Sequence, residues 1–143
     1  MRKLSILLVV LFVLSVCQVS FAGSDIPDLK GTWLLDALGV RHHKTSGGNP
    51  KTHSGDKPGY VQAKAKIIID KQDGFRFSGT KESPMQKERV SGVIGFDNKT
   101  IYVVDDDGMC FWRLVAPDKI QQIYLHVTKQ HSIAARDILT RQR

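Results

Sequence analysis

Val61 to Asp70 reads V-Q-A-K-A-K-I-I-I-D. Val61, Ala63, Ala65, Ile67 and Ile69 share one parity, and Gln62, Lys64, Lys66 and Asp70 share the other. A strand sends successive side chains to opposite faces, so this is the pattern of a strand with one buried face. Lys71-Gln72-Asp73-Gly74 follows it. Asp-Gly is a hairpin signal because glycine accepts positive φ.

The same rhythm continues in both directions. Phe75 to Thr80 predicts a strand with Phe75 and Phe77 on one face, ended by Ser83-Pro84. Arg89 to Phe96 groups Val90, Gly92, Ile94 and Phe96. Further strands are expected over Thr100–Val104, Met109–Val115, Lys119–Thr128 and Ser132–Arg141, each bounded by turn residues. Asn98-Lys99-Thr100 has the form of a glycosylation acceptor, yet its place between two strands reads as a tight turn. With Leu29–Leu38 at the front there are eight strands. Short connections force antiparallel neighbours. The expected fold is therefore all-β: an eight-stranded antiparallel up-and-down barrel, a size that either fills with side chains or holds one small ligand. Gly79, Gly92 and Gly95 inside strands are assigned to bends or bulges.

The N-terminus has a different character. Arg2 and Lys3 precede an apolar run from Leu4 to Val16, and Ser20-Phe21-Ala22 is a small-x-small pattern. This is expected to be a signal peptide over 1–22, too short in its apolar core to span a bilayer. The remainder, 23–143, is expected to be a single barrel domain with no stable membrane anchor after cleavage. The expected location is periplasmic or extracellular, in a bacterium. Cys17 leaves with the signal, so Cys110 has no internal disulfide partner and the fold must rest on its core. The whole chain carries a formal charge of +7, or +5 without Arg2 and Lys3. Its cations are dispersed, with no basic run interleaved with aromatics, which argues against nucleic acid as a partner.

Asp28-Leu29-Lys30-Gly31-Thr32-Trp33 resembles the G-x-W opening of the calycin barrels, which include lipocalins, fatty-acid-binding proteins and avidins. Gly74 to Thr80 is similar to the third strand of avidins. The resemblance is at the level of fold. It implies that Gly31 makes room at the closed end, that Trp33 plugs that end, and that an arginine of the last strand packs across the indole. Arg136 and Arg141 are the candidates, and Arg141 is preferred because an antiparallel partner would bring it to Trp33. Avidins follow G-x-W with a polar cluster for biotin. Here those positions are Leu34, Leu35, Asp36 and Ala37, and only Asp36 could hydrogen-bond a ligand.

Arg41 to His53 reads R-H-H-K-T-S-G-G-N-P-K-T-H, within a connection expected over 39–59. Connections of that length are often functional or disordered. Three readings stand: a solvated loop, a lid over the barrel mouth, or a metal site. The histidine spacing fits no zinc motif, and no metal or other cofactor is expected. Asp105-Asp106-Asp107-Gly108 lacks the ligand alternation of a calcium loop and reads as a turn. Cys110 reads as a semi-buried thiol, with dimerisation through it left open.

The function expected from these readings is an exported small-ligand-binding barrel, taking an apolar or anionic ligand. Trp33, Asp36, Phe77, Phe111, Tyr124 and His126 would line the cavity, with His42 and His43 in a lid. Gly31, Trp33 and Arg141 would close the other end. The alternative is a periplasmic protein-binding barrel such as a protease inhibitor. An enzyme is disfavoured because inward parity supplies few polar groups, namely Gln122, His126 and Asp137. An acid pair of Glu82 and Glu88 would matter only at the right separation, which the sequence does not set.

Overall fold

The computed structural model describes residues 25–43, 58–129 and 131–143. Eight strands follow in order: β1 (Gly31–His43), β2 (Gly59–Asp73), β3 (Arg76–Glu82), β4 (Lys87–Ile94), β5 (Thr100–Val104), β6 (Gly108–Ala116), β7 (Lys119–Val127) and β8 (His131–Arg141). Each pairs antiparallel with its sequence neighbours, and β8 pairs with β1 to close the barrel. Closure leaves no open sheet edge among the described strands. The connection expected over 39–59 is shorter, because β1 runs on to His43 and β2 begins at Gly59.

The closed end is a dry plug. Trp33, Ile101, Ile120 and Leu139 have no exposed surface, and Leu29, Ile67, Ile69 and Trp112 have almost none. Trp33 Nε1 donates to the Leu29 carbonyl at 2.9 Å, so the indole's one polar group is satisfied. The expected arginine is Arg141. Register places it opposite Trp33, and its guanidinium carbon lies 4.7 Å from the ring centroid. Its Nη2 donates to the Asp28 carbonyl, tying the entry segment to the last strand.

Gly31 serves this end differently from the expectation. A Cβ there would meet nothing within 4 Å, so space is not what glycine supplies. Its φ of +123° is the requirement, a conformation L side chains rarely adopt. The chain turns there from the entry segment into β1. Gly79 does lie beside the irregular register of β2 at Ile69 and Lys71, where a Cβ would sit 2.0 Å from the Ile68 carbonyl oxygen. Gly92 instead makes room for an aromatic ring, since a Cβ there would lie 2.3 Å from the Phe77 ring. That ring covers the glycine and stacks on Trp112 at 5.9 Å between centroids.

Three aromatic placements depart from parity. Phe75 sits in the β2–β3 turn and is 52% exposed, because the turn takes Gly74 and Phe75 together. Phe96 lies beyond the end of β4 and is fully exposed. Phe111, expected inside, is on the outer face, packed edge-on against Tyr102 at 6.2 Å. Its β6 neighbours Cys110 and Trp112 take the interior.

Replacing Trp33 with Ala should cost about 3–5 kcal/mol of stability, in the range for removing a buried aromatic. Arg141→Ala should cost about 1 kcal/mol through the lost ring contact and stem packing. Urea melts of both variants check this, and a smaller loss for W33A than for R141A would place the closure elsewhere.

Candidate functional site

The other half of the barrel is hollow. A cup of about 870 Å³ opens toward the ends of β1 and β2, the β3–β4 turn and the β7–β8 turn. The cause is side-chain size. Along the inward parity, β1 passes from Trp33 and Leu35 to Ala37 and Gly39, and β2 from Ile69 and Ile67 to Ala65 and Ala63. On β8 the inward sequence from plug to mouth is Leu139, Asp137, Ala135 and Ile133. One wall of the cup therefore consists mainly of small apolar residues from β1, β2 and β8.

The rest of the lining is polar and interconnected, and its network reaches Asp137 within β8 itself. Trp112 Nε1 donates to Gln122 Oε1, and Gln122 Nε2 donates to Asp137 Oδ2. The direction of this relay is fixed, because an indole N–H is only a donor. It orients the amide so that its nitrogen meets the carboxylate. Asp137 is 2% exposed, and its Oδ1 has no hydrogen-bond partner. Burial, opposed by the Gln122 hydrogen bond and the Lys81 charge, pushes its pKa up to about 6.

Lys81 enters the same wall from β3. Its Nζ lies 2.6 Å from Glu88, also contacts Asp105, and sits 4.9 Å from the Tyr124 ring centroid. Burial alone would lower the lysine pKa; hydrogen bonds to Asp105 and Glu88, with their charges, outweigh it and raise it. Burial and the acidic residues around Tyr124 push the phenol upward. At the mouth, His126 Nδ1 lies 2.9 Å from Asp107 Oδ1 and 3.2 Å from the Tyr124 hydroxyl. A carboxylate only accepts, so Nδ1 carries the proton toward Asp107. His126 Nε2 is buried without a partner, and the His126 ring stacks on His131 at 4.8 Å.

Of the residues expected to hold a ligand, Tyr124 and His126 line the cup together. Trp33 and Phe77 belong to the filled plug, and Phe111 is on the outer face. Asp36 is also on the outer face, 3.9 Å from Lys64, because it has the opposite parity to Leu35 and Ala37. His42 is half-buried near the mouth, on the parity opposite Arg41. The side chain of His43 and residues 44–57, including His53, lie outside the described residues. Among the described residues, no group of three or more His, Cys, Asp or Glu is arranged to hold a metal. Asp105 is occupied as a turn residue, accepting from the Gly108 amide at 2.6 Å as well as binding Lys81. Asn98 has φ 52°, as a turn residue before β5.

Sequence reasoning missed the cluster of Lys81, Glu88 and Asp105. The signal was present for two of them: Lys81 shares parity with Phe77 and Gly79, and Glu88 with Val90 and Ile94. Glu82 and Glu88 do not form an acid pair, since Glu82 is held by Lys66 at 2.9 Å and Lys87 at 2.8 Å on the other face. Their hydrogen bonds, that to Lys87 first, lower the Glu82 pKa to about 2. Cys110 is 4% exposed, and burial, followed by the nearby Asp105 charge, pushes its thiol up to about 12.

No protein-family model matches the chain, and no curated protein matches it by sequence. Among solved structures it is similar to an S-type phycobiliprotein lyase from Guillardia theta. The two are 8% identical, with a TM-score of 0.37 over 80% of this chain and 89% of the other. A likeness of that degree carries no argument about ligand or activity.

Two outcomes follow from the buried groups. Asp137 has a folded-state pKa raised above its ordinary 3.8 to about 6. Its contribution to stability is thus fully present below pH 3.8 and lost as pH rises through 6. Asn mimics the protonated form, so Asp137→Asn should melt roughly 3–6 °C above wild type near pH 8. The two should converge below about pH 4; equal melting at both pH values would contradict the raised pKa. Separately, Cys110 should resist a thiol reagent in the native barrel and react within minutes in denaturant, as read by absorbance; rapid native labelling would show that the interior opens.

Proposed function

We propose that this chain is an exported small-ligand-binding barrel. The observation that carries the reading is the cup of about 870 Å³ between a small-residue apolar wall and a polar wall. Ligand sites are concave, largely apolar, and supplied with a few placed polar groups, and this cup has that composition. The ligand would be amphipathic, with its apolar face against Ala37, Ala65 and Ala135 and its polar groups toward Gln122, Tyr124, His126 and Asp137. The signal-like segment over 1–22 supports export. Binding without catalysis is the favoured role, because the acid–base groups of the polar wall are largely engaged with one another. Lys81 is held between two carboxylates, and His126 by Asp107.

A protein-binding barrel is the second reading, and the outer surface favours it. Val93, Tyr102, Phe111 and Ile123 are successive cross-strand neighbours on the outer face, and Val104, Met109 and Leu125 form a second such row. Each is between 39% and 55% exposed. A contiguous apolar patch of this kind marks interaction surfaces more often than solvated ones.

Native mass spectra of the exported protein test the first reading. A discrete organic mass that is lost on denaturation is expected. Ala65→Phe, which fills the cup, should abolish that mass while retaining the β-sheet circular-dichroism spectrum. A bare protein mass, unchanged after incubation with an extract of the exported fraction, would count against the ligand reading and favour the second.

A further inference from the structure

We propose that the cup selects a ligand carrying a positively charged amine, and that Asp137 is the residue that receives it. This deepens the ligand-binding reading and rests on it. The hydrogen-bond relay supplies the geometry. Trp112 donates to Gln122, and Gln122 donates to Asp137, so the relay delivers one hydrogen bond to the carboxylate and ends there. Oδ1 is left buried and unpartnered in a residue that lines the cup. An ionised carboxylate accepts only, so the missing partner is a donor. Leaving such a group unpaired in the interior is costly, and a charge-assisted hydrogen bond from a cation removes that cost.

The other carboxylates of the cup have partners of their own, as does its outer lysine. Glu88 is paired with Lys81 at 2.6 Å, Asp107 with His126 at 2.9 Å, and Lys64 with Asp36 at 3.9 Å. Arg41, whose Nε is buried without a partner, lies four residues nearer the mouth than Ala37, the β1 partner of Asp137. That separation is about 13 Å along the strand. The acidic acceptor and the arginine thus stand at different depths, with the acceptor next to the plug. His126 Nε2, also buried without a partner, lies nearer the mouth. An amphipathic amine inserted charged end first would meet Asp137 at the base, while its apolar body lies on Ala37, Ala65 and Ala135.

Matched fluorescent probes test this. Dansylcadaverine presents an ammonium, N-dansyl-6-aminohexanoic acid a carboxylate of similar length, and N-butyl dansylamide no charge. The wild-type barrel should bind the ammonium probe about 10- to 100-fold more tightly than the carboxylate probe, the range for a hydrogen bond to a charged group. Asp137→Asn should reduce that preference to within about threefold, through a loss falling mainly on the ammonium probe, and keep the wild-type β-sheet circular-dichroism spectrum, which shows that the variant folds. Equal binding of the two charged probes, or preference for the carboxylate, would overturn the amine assignment while leaving the ligand-binding reading standing. Loss of affinity for the uncharged probe in D137N, equal to the loss for the ammonium probe, would also overturn it by making Asp137 merely structural. Failure of all three probes to bind wild type, together with a bare native mass, would overturn both.

Discussion

The Trp33 indole is fully buried, hydrogen-bonded to the Leu29 carbonyl and covered by the Arg141 guanidinium, and the rest of the barrel depends on those contacts. They join the entry segment, the first strand and the last strand at one point. A barrel must close by pairing strands distant in sequence, and here that pairing brings together residues more than a hundred positions apart. The chain-entropy cost of such a contact is met only if the contact is well packed. An aromatic ring with its polar atom satisfied and a cation over its face meets that condition. Gly31 permits the approach by holding a φ of +123°.

The plug has a second consequence. Because Trp33, Trp112, Phe77 and the surrounding isoleucines fill one half completely, stability does not require the other half to be filled. Ala37, Gly39, Ala65 and Ala135 then leave a void without undoing the fold. The polar wall is stabilised by mutual pairing. Lys81 sits between Glu88 and Asp105, and the Trp112–Gln122–Asp137 relay descends from the plug itself. Plug and cup are thus one hydrogen-bonded unit. The same residue that anchors the apolar stack, Trp112, orients the amide that positions Asp137.

The outer surface sets this chain apart from a barrel with a polar exterior. Apolar rows cross β4 to β7 on the outside. A groove of about 690 Å³ beside Ile26, Phe75, Phe96 and Tyr102 extends that surface toward the closed end. Cup and outer face are separated by the sheet, so binding in one does not compete sterically with contact on the other.

The sequence by itself determined the eight strands, their antiparallel order and the turn residues between them; the meeting of Trp33 with Arg141 came from the resemblance to calycin barrels. The strands, their order and the turns follow from period-two patterning, from turn chemistry and from short connections, all of which are local. Cys110 and Trp112 were legible as sharing a face, but which face was not. Parity assigns inside and outside only when the two faces differ in polarity, as in β2, where lysines alternate with alanine and isoleucine. In β5 and β6 both faces are largely apolar, so Phe111 could be placed inside with no contradiction in the sequence. Tertiary structure alone decided that Phe111 faces out, that the void lies where small residues from β1, β2 and β8 converge, and that Lys81, Glu88, Asp105 and Asp137 gather on one wall. These outcomes depend on which strands come together across the barrel and on the volumes of side chains far apart in the chain, which no local pattern records.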